Sequence, residues 1–485
     1  MSRIGAEGFG LMGFFLMLQS WMQILDAGVG GSLSRQVAIT KQNISVFNSF
    51  LKQFYIVVLV FFMIALLIFT LGYYGKTFVA VSWIDSSIAI GTLEACLLAM
   101  FASLAVRYVL GPFRSGLIGL ERHAAISLSS VVFSSLKFPV GLYVLNVFDN
   151  SLVHYFFYQS LLSVLELAIL SFLFIVYSNS IRKSSVSDSR GIECISLKSL
   201  IKFSAQLSFL SIVWVVVTQV DKLVLSKYLS LEEYGYYSLA VSVSGVILLL
   251  SAPLSQVLMP RLTSLAAKGK KNEYLQLYVN SIWGMSIFII STAGFLVFYS
   301  DELLLVWTGR VSVAERSYIY AGWLALGNAI SVLMNFVFIL QYSLGQLSRH
   351  VLVYTVYAAV LIPASIFIAY NYGAFGIVIF WFVHNLLFYL VWGSLVHSKY
   401  IGGVAKYVWL KIMTPCVAIT FLYMYSLKEV VVFDYNRLAA FFLLAAIGLT
   451  NILLVLGYFW LAEKLGYMNK SALCLKLFEG GGNDE

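Results

Sequence analysis

Charged side chains are scarce in this sequence. Asp, Glu, Lys and Arg make up 11% of its 485 residues, against roughly 25% in an average soluble domain. A soluble fold of this length could not cover its surface with so few charges. Hydrophobic residues make up 61% of the chain, and its mean hydropathy is +0.90. Because bilayer lipid is the solvent that tolerates this composition, the sequence predicts a membrane protein.

Motifs for metal or redox chemistry, and the P-loop of ATP-driven proteins, are also missing. The four cysteines, Cys96, Cys194, Cys416 and Cys474, form no CxxC pair, and the five histidines are scattered. Neither a metal site nor a disulfide framework is therefore indicated. The sequence has no GxxxxGK[ST] P-loop, so ATP-driven transport would need a separate subunit. We expect no cofactor and no enzymatic activity.

Long apolar runs dominate what is present. A hydrocarbon core of roughly 30 Å requires about 20 apolar residues as a helix, and backbone polar groups in lipid must be satisfied within the segment. We therefore predict an all-α polytopic membrane protein. Its thirteen predicted transmembrane helices lie at about 8–30, 54–74, 86–106, 124–147, 152–177, 201–221, 234–257, 279–299, 317–340, 351–370, 374–397, 407–427 and 438–461.

The basic residues alternate between the predicted connections. Of the 31 Lys and Arg residues, 20 lie in the odd-numbered connections and the C-terminal tail, and 8 lie in the even-numbered connections or at Arg3. Cytoplasmic connections carry an excess of Lys and Arg. The odd connections are therefore predicted to be cytoplasmic, with the N-terminus outside and the C-terminus inside.

A short internal repeat accounts for an outside N-terminus. The strings AEGFGLMGFF from Ala6 and LEEYGYYSLA from Leu231 share an acidic residue, an aromatic residue and a glycine. Transporters are often built from repeated helical bundles with the substrate site between them. The second string follows a full predicted helix, 201–221, whereas only five residues precede the first. We therefore expect that the first of fourteen helices is missing.

This pattern predicts two pseudo-repeated helical lobes around a central cavity. A Ser-rich, polar segment separates the two lobes and is the best linker candidate. The predicted divisions are an N-terminal lobe at 1–177, a cytoplasmic linker at 178–200, a C-terminal lobe at 201–398, and an extra helix pair with a cytoplasmic tail at 399–485.

Several of these segments resemble a known family. The string RIGAEGFGLMGFFLMLQSWMQILDAGVGGSLSRQVA and the segment 215–262 are similar to polysaccharide-export flippases of the multidrug/oligosaccharidyl-lipid/polysaccharide flippase superfamily. The fragment GPFRSGLIGLER at 111–122 resembles the amphipathic turn after the fourth helix of that family. The segment 215–262 is the stronger match, through Asp221, Lys222, Gly235, Tyr236, Tyr237 and Pro260.

The resemblance implies an O-antigen or polysaccharide-unit flippase of the bacterial inner membrane. Such a protein moves an undecaprenyl-diphosphate-linked oligosaccharide across the membrane by alternating access, coupled to an ion gradient. Its expected partners are the lipid-linked oligosaccharide, membrane lipids, an O-antigen polymerase and a chain-length regulator. Two alternatives stay open: a multidrug or metabolite exporter of the same fold, and a membrane enzyme of the O-antigen polymerase or ligase type. A cationic cavity favours the diphosphate cargo, and an apolar cavity with one or two acids favours drugs.

Lys137 is the leading candidate for the cavity. A lysine at the centre of a membrane helix costs about 2.5–3.5 kcal/mol on insertion scales, so it should face a cavity or a partner. Pro139 removes a backbone donor two residues later and is expected to kink the helix. The alternatives are an ion pair with Glu94 or Glu166, or a lysine that snorkels to the interface.

Arginines near the cytoplasmic connections form a second group of candidates. Arginine suits bidentate contact with phosphate, and Arg35 and Arg261 occupy similar places in the two repeats. The alternative for each is positive-inside topology and contact with lipid headgroups. The members of this group are Arg35, Arg107, Arg114, Arg122 and Arg261.

Embedded acids are the candidates for coupling or gating. Glu94 and Glu166 lie within predicted helices. Each is either a protonation site that couples transport to an ion gradient or a neutral partner in an interhelical hydrogen bond. Asp26 lies near a helix end, where it either acts in gating or stabilises a turn. Asp221 and Lys222 end a predicted helix and are expected to point to different sides of it, with a role at an outer gate or interface or in direct cargo contact.

Overall fold

The computed structural model describes residues 4–26, 29–41, 44–149, 151–184, 197–402, 404–431, 433 and 436–465. All regular elements in these residues are helical, apart from an isolated bridge between Asp85 and Ser230. The chain divides into two compact units. The first comprises Arg3–Tyr234 with Tyr354–Ile362, and the second comprises Gly235–Val353 with Pro363–Glu485. Much of the predicted linker at 178–200 lies outside the described residues, and the lobe boundaries stay a prediction.

The first unit is built from long apolar helices. Three aromatic rings hold its core together: Phe54, Phe113 and Phe174 lie with ring centroids 4.4 to 6.0 Å apart. These rings come from α3, α4 and α7, so their burial fixes those helices against one another. The helices are α1 (Gly5–Asp26), α2 (Val29–Thr40), α3 (Ile44–Phe78), α4 (Ile90–Gly119), α5 (His123–Ser135), α6 (Gly141–Val147), α7 (Leu152–Ser184) and α8 (Leu197–Tyr228), with π-helical turns at Val79–Trp83 and Leu136–Val140.

The close approach of α2 to α4 depends on Gly119. A Cβ atom at Gly119 would collide with the backbone oxygen of Ser34 and come within 2.6 Å of the Cβ of Val37. We expect Gly119→Ala to lower the free energy of unfolding by about 1–3 kcal/mol, the usual cost of overpacking. Denaturant titration of the purified protein in detergent measures this. Gly91→Ala, at the start of the same helix with nothing within 4 Å of its Cβ position, should change it by less than about 0.5 kcal/mol; equal losses would contradict the packing argument.

The second unit contains the remaining helices. Its α13 is interrupted at Gly373, whose φ of 59° and ψ of −151° leave the helical region, a conformation that glycine tolerates without a Cβ penalty. The helices are α9 (Leu231–Ser244, which begins in the first unit), α10 (Val246–Ala267), α11 (Lys271–Thr308), α12 (Val311–Ser343), α13 (Leu347–Phe388), α14 (Ser394–Ile401), α15 (Val404–Tyr407), α16 (Thr414–Val430) and α17 (Arg437–Lys464), with π-helical turns at Tyr389–Gly393 and Val408–Met413.

The last two long helices pack against α11. The Nζ of Lys428, on α16, lies 3.1 Å from Oδ1 of Asp301 and 2.5 Å from Oε1 of Glu302. Arg437, at the start of α17, donates to the backbone oxygens of Val306 and Trp307. These carbonyls belong to the last turn of α11, which has no intrahelical donors for them. The predicted extra helix pair is therefore anchored to the end of α11 by charged side chains.

The predicted fold class, an all-α polytopic membrane protein, is confirmed. Ten helices in the described residues are long and apolar enough to cross a membrane. Many of their large side chains face outward: Phe62, Met63, Leu66 and Leu67 on α3 are each at least half exposed. Such a continuous exposed apolar surface suits lipid rather than water.

The ten candidate spans overlap eleven of the thirteen predicted ones, because Leu347–Ile401 covers both 351–370 and 374–397. The other two differ from expectation. The predicted span 8–30 corresponds to α1, which ends at Asp26. The predicted span 234–257 is interrupted at Gly245, between α9 and α10. In addition, α4 continues to Gly119 instead of ending near residue 106, so Arg107 and Arg114 lie on a helix and not in a connection.

Candidate functional site

Lys137 and Glu166 form a buried ion pair in the first unit. The Nζ of Lys137 lies 2.5 Å from Oε2 of Glu166, and the two side chains are only 8% and 4% exposed. The Nη2 of Arg114 lies 3.4 Å from Oε1, the other oxygen of the same carboxylate. A buried charge is tolerated only when it is paired. Glu166 therefore balances cations at both of its oxygens.

The π-helical turn Leu136–Val140 places Lys137 in this position. Pro139 lacks a backbone N–H and its ring clashes with the preceding turn, which disfavours a regular α-helix, and here the chain widens into a π turn. Side chains of α7 satisfy two carbonyls of the turn: the hydroxyl of Tyr158 donates to Leu136 O, and Nε2 of Gln159 donates to Lys137 O. The kink predicted at Pro139 thus takes the form of a π bulge, a feature often found at functional sites.

A cavity of about 620 Å³ opens beside this ion pair. Its walls come from α1, α2, α3, α4 and α7, all in the first unit. Gln19, Phe61, Arg107, Arg114 and Glu166 are among the lining residues. Its volume falls within the roughly 300–1,000 Å³ that is usual for ligand sites.

The polar part of the cavity is cationic. Arg107 donates from Nη1 to Oε1 of Gln19 at 2.7 Å, a neutral partner that adds no negative charge. The Nε of Arg114 is buried and has no hydrogen-bond partner in the described part of the chain, and its Nη2 makes only two long contacts, to Glu166 and to Ser130. A guanidinium group carries five N–H donors. The three cations around Glu166 therefore present unused donors and an excess of positive charge.

The structure separates the predicted cavity residues into two groups. Lys137 and Arg114 both contact Glu166. Of the two acids predicted as partners of Lys137, Glu166 is therefore the one that pairs with it. Glu94 is half-buried elsewhere on α4. Arg122 is exposed and lies 4.6 Å above the ring of Tyr177.

The remaining candidates are not among the residues that line this cavity, and the side chains of two of them are outside the described residues. Arg261 is exposed on α10, and the side chains of Arg35 and Asp26 are outside the described residues. The expectation that Asp221 and Lys222 point to different sides is wrong: Nζ of Lys222 lies 3.2 Å from Oδ1 of Asp221 and donates to the backbone oxygen of Thr218. A flexible four-carbon lysine stem reaches back to its neighbour, which spacing along the helix does not exclude.

Sequence reasoning missed Gln19 as a site residue, and it placed Arg107 in a connection rather than on a helix. Arg107 and Arg114 are seven residues apart, which places them on one face of a continuous helix. That spacing was a usable signal, but only if α4 was extended beyond its apolar run. Among the described residues, no group of three His, Cys, Asp or Glu side chains could hold a metal ion.

Comparison with known proteins places the chain in a family. The model of the family described as polysaccharide biosynthesis protein matches residues 2–266, more than half of the chain. The chain belongs to this family. The predicted resemblance is thereby confirmed, and all the residues that line the cavity lie within the matched part of the chain. No curated protein sequence matches the chain.

Two solved structures share the fold of this chain. One is titled "Lipid II flippase MurJ, inward closed conformation"; it has a TM-score of 0.62 and 14% identity, over 95% of this chain and 97% of that chain. The other is titled "Inward-facing conformation of a multidrug resistance MATE family transporter of the MOP superfamily", with a TM-score of 0.64 and 13% identity, over 82% and 92%. At these identities the likeness concerns the fold.

Proposed function

We propose that this protein is a flippase for a lipid-linked oligosaccharide. Its cargo is an undecaprenyl-diphosphate-linked O-antigen or polysaccharide repeat unit, which it moves across the bacterial inner membrane. The observation that supports this most directly is the cationic cavity of the first unit, lined by Arg107 and Arg114. Membership in the polysaccharide biosynthesis protein family agrees with such a cargo.

The cargo explains why cations are embedded in so apolar a protein. A diphosphate is costly to place in hydrocarbon without compensation. Arginine is suited to compensate it, because its planar fork donates two parallel hydrogen bonds to phosphate oxygens. Polyprenyl tails need no such site, since they remain soluble in the bilayer.

An exporter of drugs or metabolites is the alternative with the same fold. It is supported by the likeness to the multidrug transporter, which concerns fold alone. An apolar cavity with one or two acids would suit a cationic drug, but the cavity found here has two arginines and a carboxylate that is already paired. Its charge therefore favours an anionic cargo over a cationic one.

The proposal includes a mechanism and a setting. Transport proceeds by alternating access and is coupled to an ion gradient. The protein acts in the inner membrane before an O-antigen polymerase and a chain-length regulator, which use the repeat units on the outer face.

Deleting the gene in the organism that encodes this protein tests the proposal. We expect surface polysaccharide to be lost and lipid-linked repeat units to accumulate in the cytoplasmic leaflet, because they are made but not transferred. Re-expression of the chain should reverse both effects. Sensitivity to a panel of cationic drugs, measured in the same strains, is the control. Unchanged surface polysaccharide with increased drug sensitivity would contradict the flippase and favour the exporter.

A further inference from the structure

We propose that Glu166 is an internal counter-ion, which the diphosphate of the cargo displaces from Lys137 and Arg114. This inference rests on the proposed function, because it requires a cargo with a diphosphate. It assigns Glu166 a positioning and release role in place of proton coupling.

The first argument for this role is the position of Glu166 between the cavity and Lys137. Glu166 and Arg114 line the cavity, whereas Lys137 does not. The carboxylate thus lies between the cavity and the Nζ of Lys137, at 2.5 Å from that atom. An anion that enters the cavity reaches the charge of Lys137 only if the carboxylate moves aside.

The two contacts of the Glu166 carboxylate are unequal, and this indicates which cation an entering anion contacts first. Its bond to Lys137 is short, but its contact with Nη2 of Arg114 is 3.4 Å long, and Nε of Arg114 is buried without a partner. The side chain of Arg114 as a whole is 42% exposed, so a phosphate group in the cavity could accept hydrogen bonds from its outer guanidinium nitrogens. Arg114 therefore gives the entering anion its first contact, while Lys137 stays paired with Glu166 until the exchange.

The surroundings of Glu166 show what the exchange accomplishes. The charged side chains that act on it are Arg107 and Arg114 from α4 and Lys137 from the π turn. Leaving Lys137 unpaired in this buried position would be costly. When one anion replaces another, Lys137 is compensated in both the empty and the loaded protein. The competing carboxylate also weakens the hold on the diphosphate, so that the cargo can leave on the far side.

Removal of the competing charge should therefore tighten anion binding. We expect the purified full chain in detergent to bind inorganic pyrophosphate, measured by titration calorimetry, at least tenfold more tightly as Glu166→Gln than as the wild type. Damage to the structure would weaken binding, so a gain in affinity distinguishes this role from a purely structural one. Glu166→Asp keeps the charge but withdraws it from Lys137 by one methylene, and it should show a smaller gain.

Glu94→Gln is the matched control, because it removes a half-buried carboxylate that does not line the cavity; its affinity should equal that of the wild type. If the wild type binds pyrophosphate and neither Glu166→Gln nor Glu166→Asp binds it more tightly, the counter-ion role is overturned and the proposed function stands. If neither the wild type nor any variant binds pyrophosphate, both proposals fail.

Discussion

Replacing Lys137 by methionine is expected to lower the free energy of unfolding by about 3 kcal/mol. Loss of one partner from a buried ion pair typically costs roughly 3–5 kcal/mol, because the other charge is left buried without compensation. The lower end applies here, since Arg114 remains 3.4 Å from the other oxygen of Glu166. Methionine adapts to the space of the lysine stem, so little of the loss should come from packing. Denaturant titration of the purified protein in detergent measures the difference.

A double variant separates charge from packing. Replacing both partners of a buried pair is often nearly neutral, so Lys137→Met combined with Glu166→Gln should recover most of the loss. Lys411 offers a matched control, because it also lies on a π-helical turn, Val408–Met413, but is exposed. Lys411→Met should change the stability by less than about 0.5 kcal/mol. If the double variant is as unstable as the sum of the two single ones, the pair does not contribute through its mutual charge.

The sequence was sufficient to single out Lys137 but not its partner. A lysine and a proline two residues apart in an apolar run indicate a special position whatever the fold. The choice between Glu94 and Glu166 depends on how α4 and α7 pack. That packing is fixed by contacts distant in sequence, such as the stacking of Phe54 on Phe174. Periodicity along one helix carries no information about such contacts.

The cavity arginines show a different limit of sequence analysis. The apolar run of α4 ends near residue 106, and Arg107 and Arg114 were therefore assigned to a connection. The helix continues to Gly119 because its next turns are buried against neighbouring helices: Tyr108, Phe113 and Leu117 are each less than 9% exposed. A helix that is shielded by protein can carry charges toward a cavity. A prediction that ends a transmembrane helix at the first charged residue therefore makes α4 too short.

The interruption between α9 and α10 has a related cause. The run 234–257 contains no charged residue, yet the helix is interrupted at Gly245. A Cβ at Gly245 would lie 2.9 Å from the backbone oxygen of Val241, and the preceding residue Ser244 uses its backbone oxygen to accept from Nδ2 of Asn328 on α12. Hydropathy averages composition along the chain and does not register such an interruption, because the hydrogen bond beside it comes from a residue that is distant in sequence.

Removing both cavity arginines, as Arg107→Gln with Arg114→Gln, is expected to reduce flipping by about 100-fold. A hydrogen bond to a charged group contributes roughly 1.5–3 kcal/mol, and each 1.4 kcal/mol is about a factor of ten. The measurement is transfer of a labelled polyprenyl-diphosphate oligosaccharide across proteoliposomes that contain equal amounts of protein. Arg114→Lys keeps the charge but loses the bidentate donor, so its flipping rate should lie between those of the wild type and the double variant.

The matched control removes the same number of charges outside the cavity. Arg122→Gln with Arg261→Gln changes two exposed arginines, which fit a role in topology and headgroup contact rather than in cargo binding. This double variant should flip within about twofold of the wild type once its amount in the membrane is matched, because exposed substitutions rarely change stability by more than about 0.5 kcal/mol. If both double variants lose activity equally, net charge rather than the cavity governs transport. If the cavity variant keeps wild-type activity, the diphosphate is bound elsewhere.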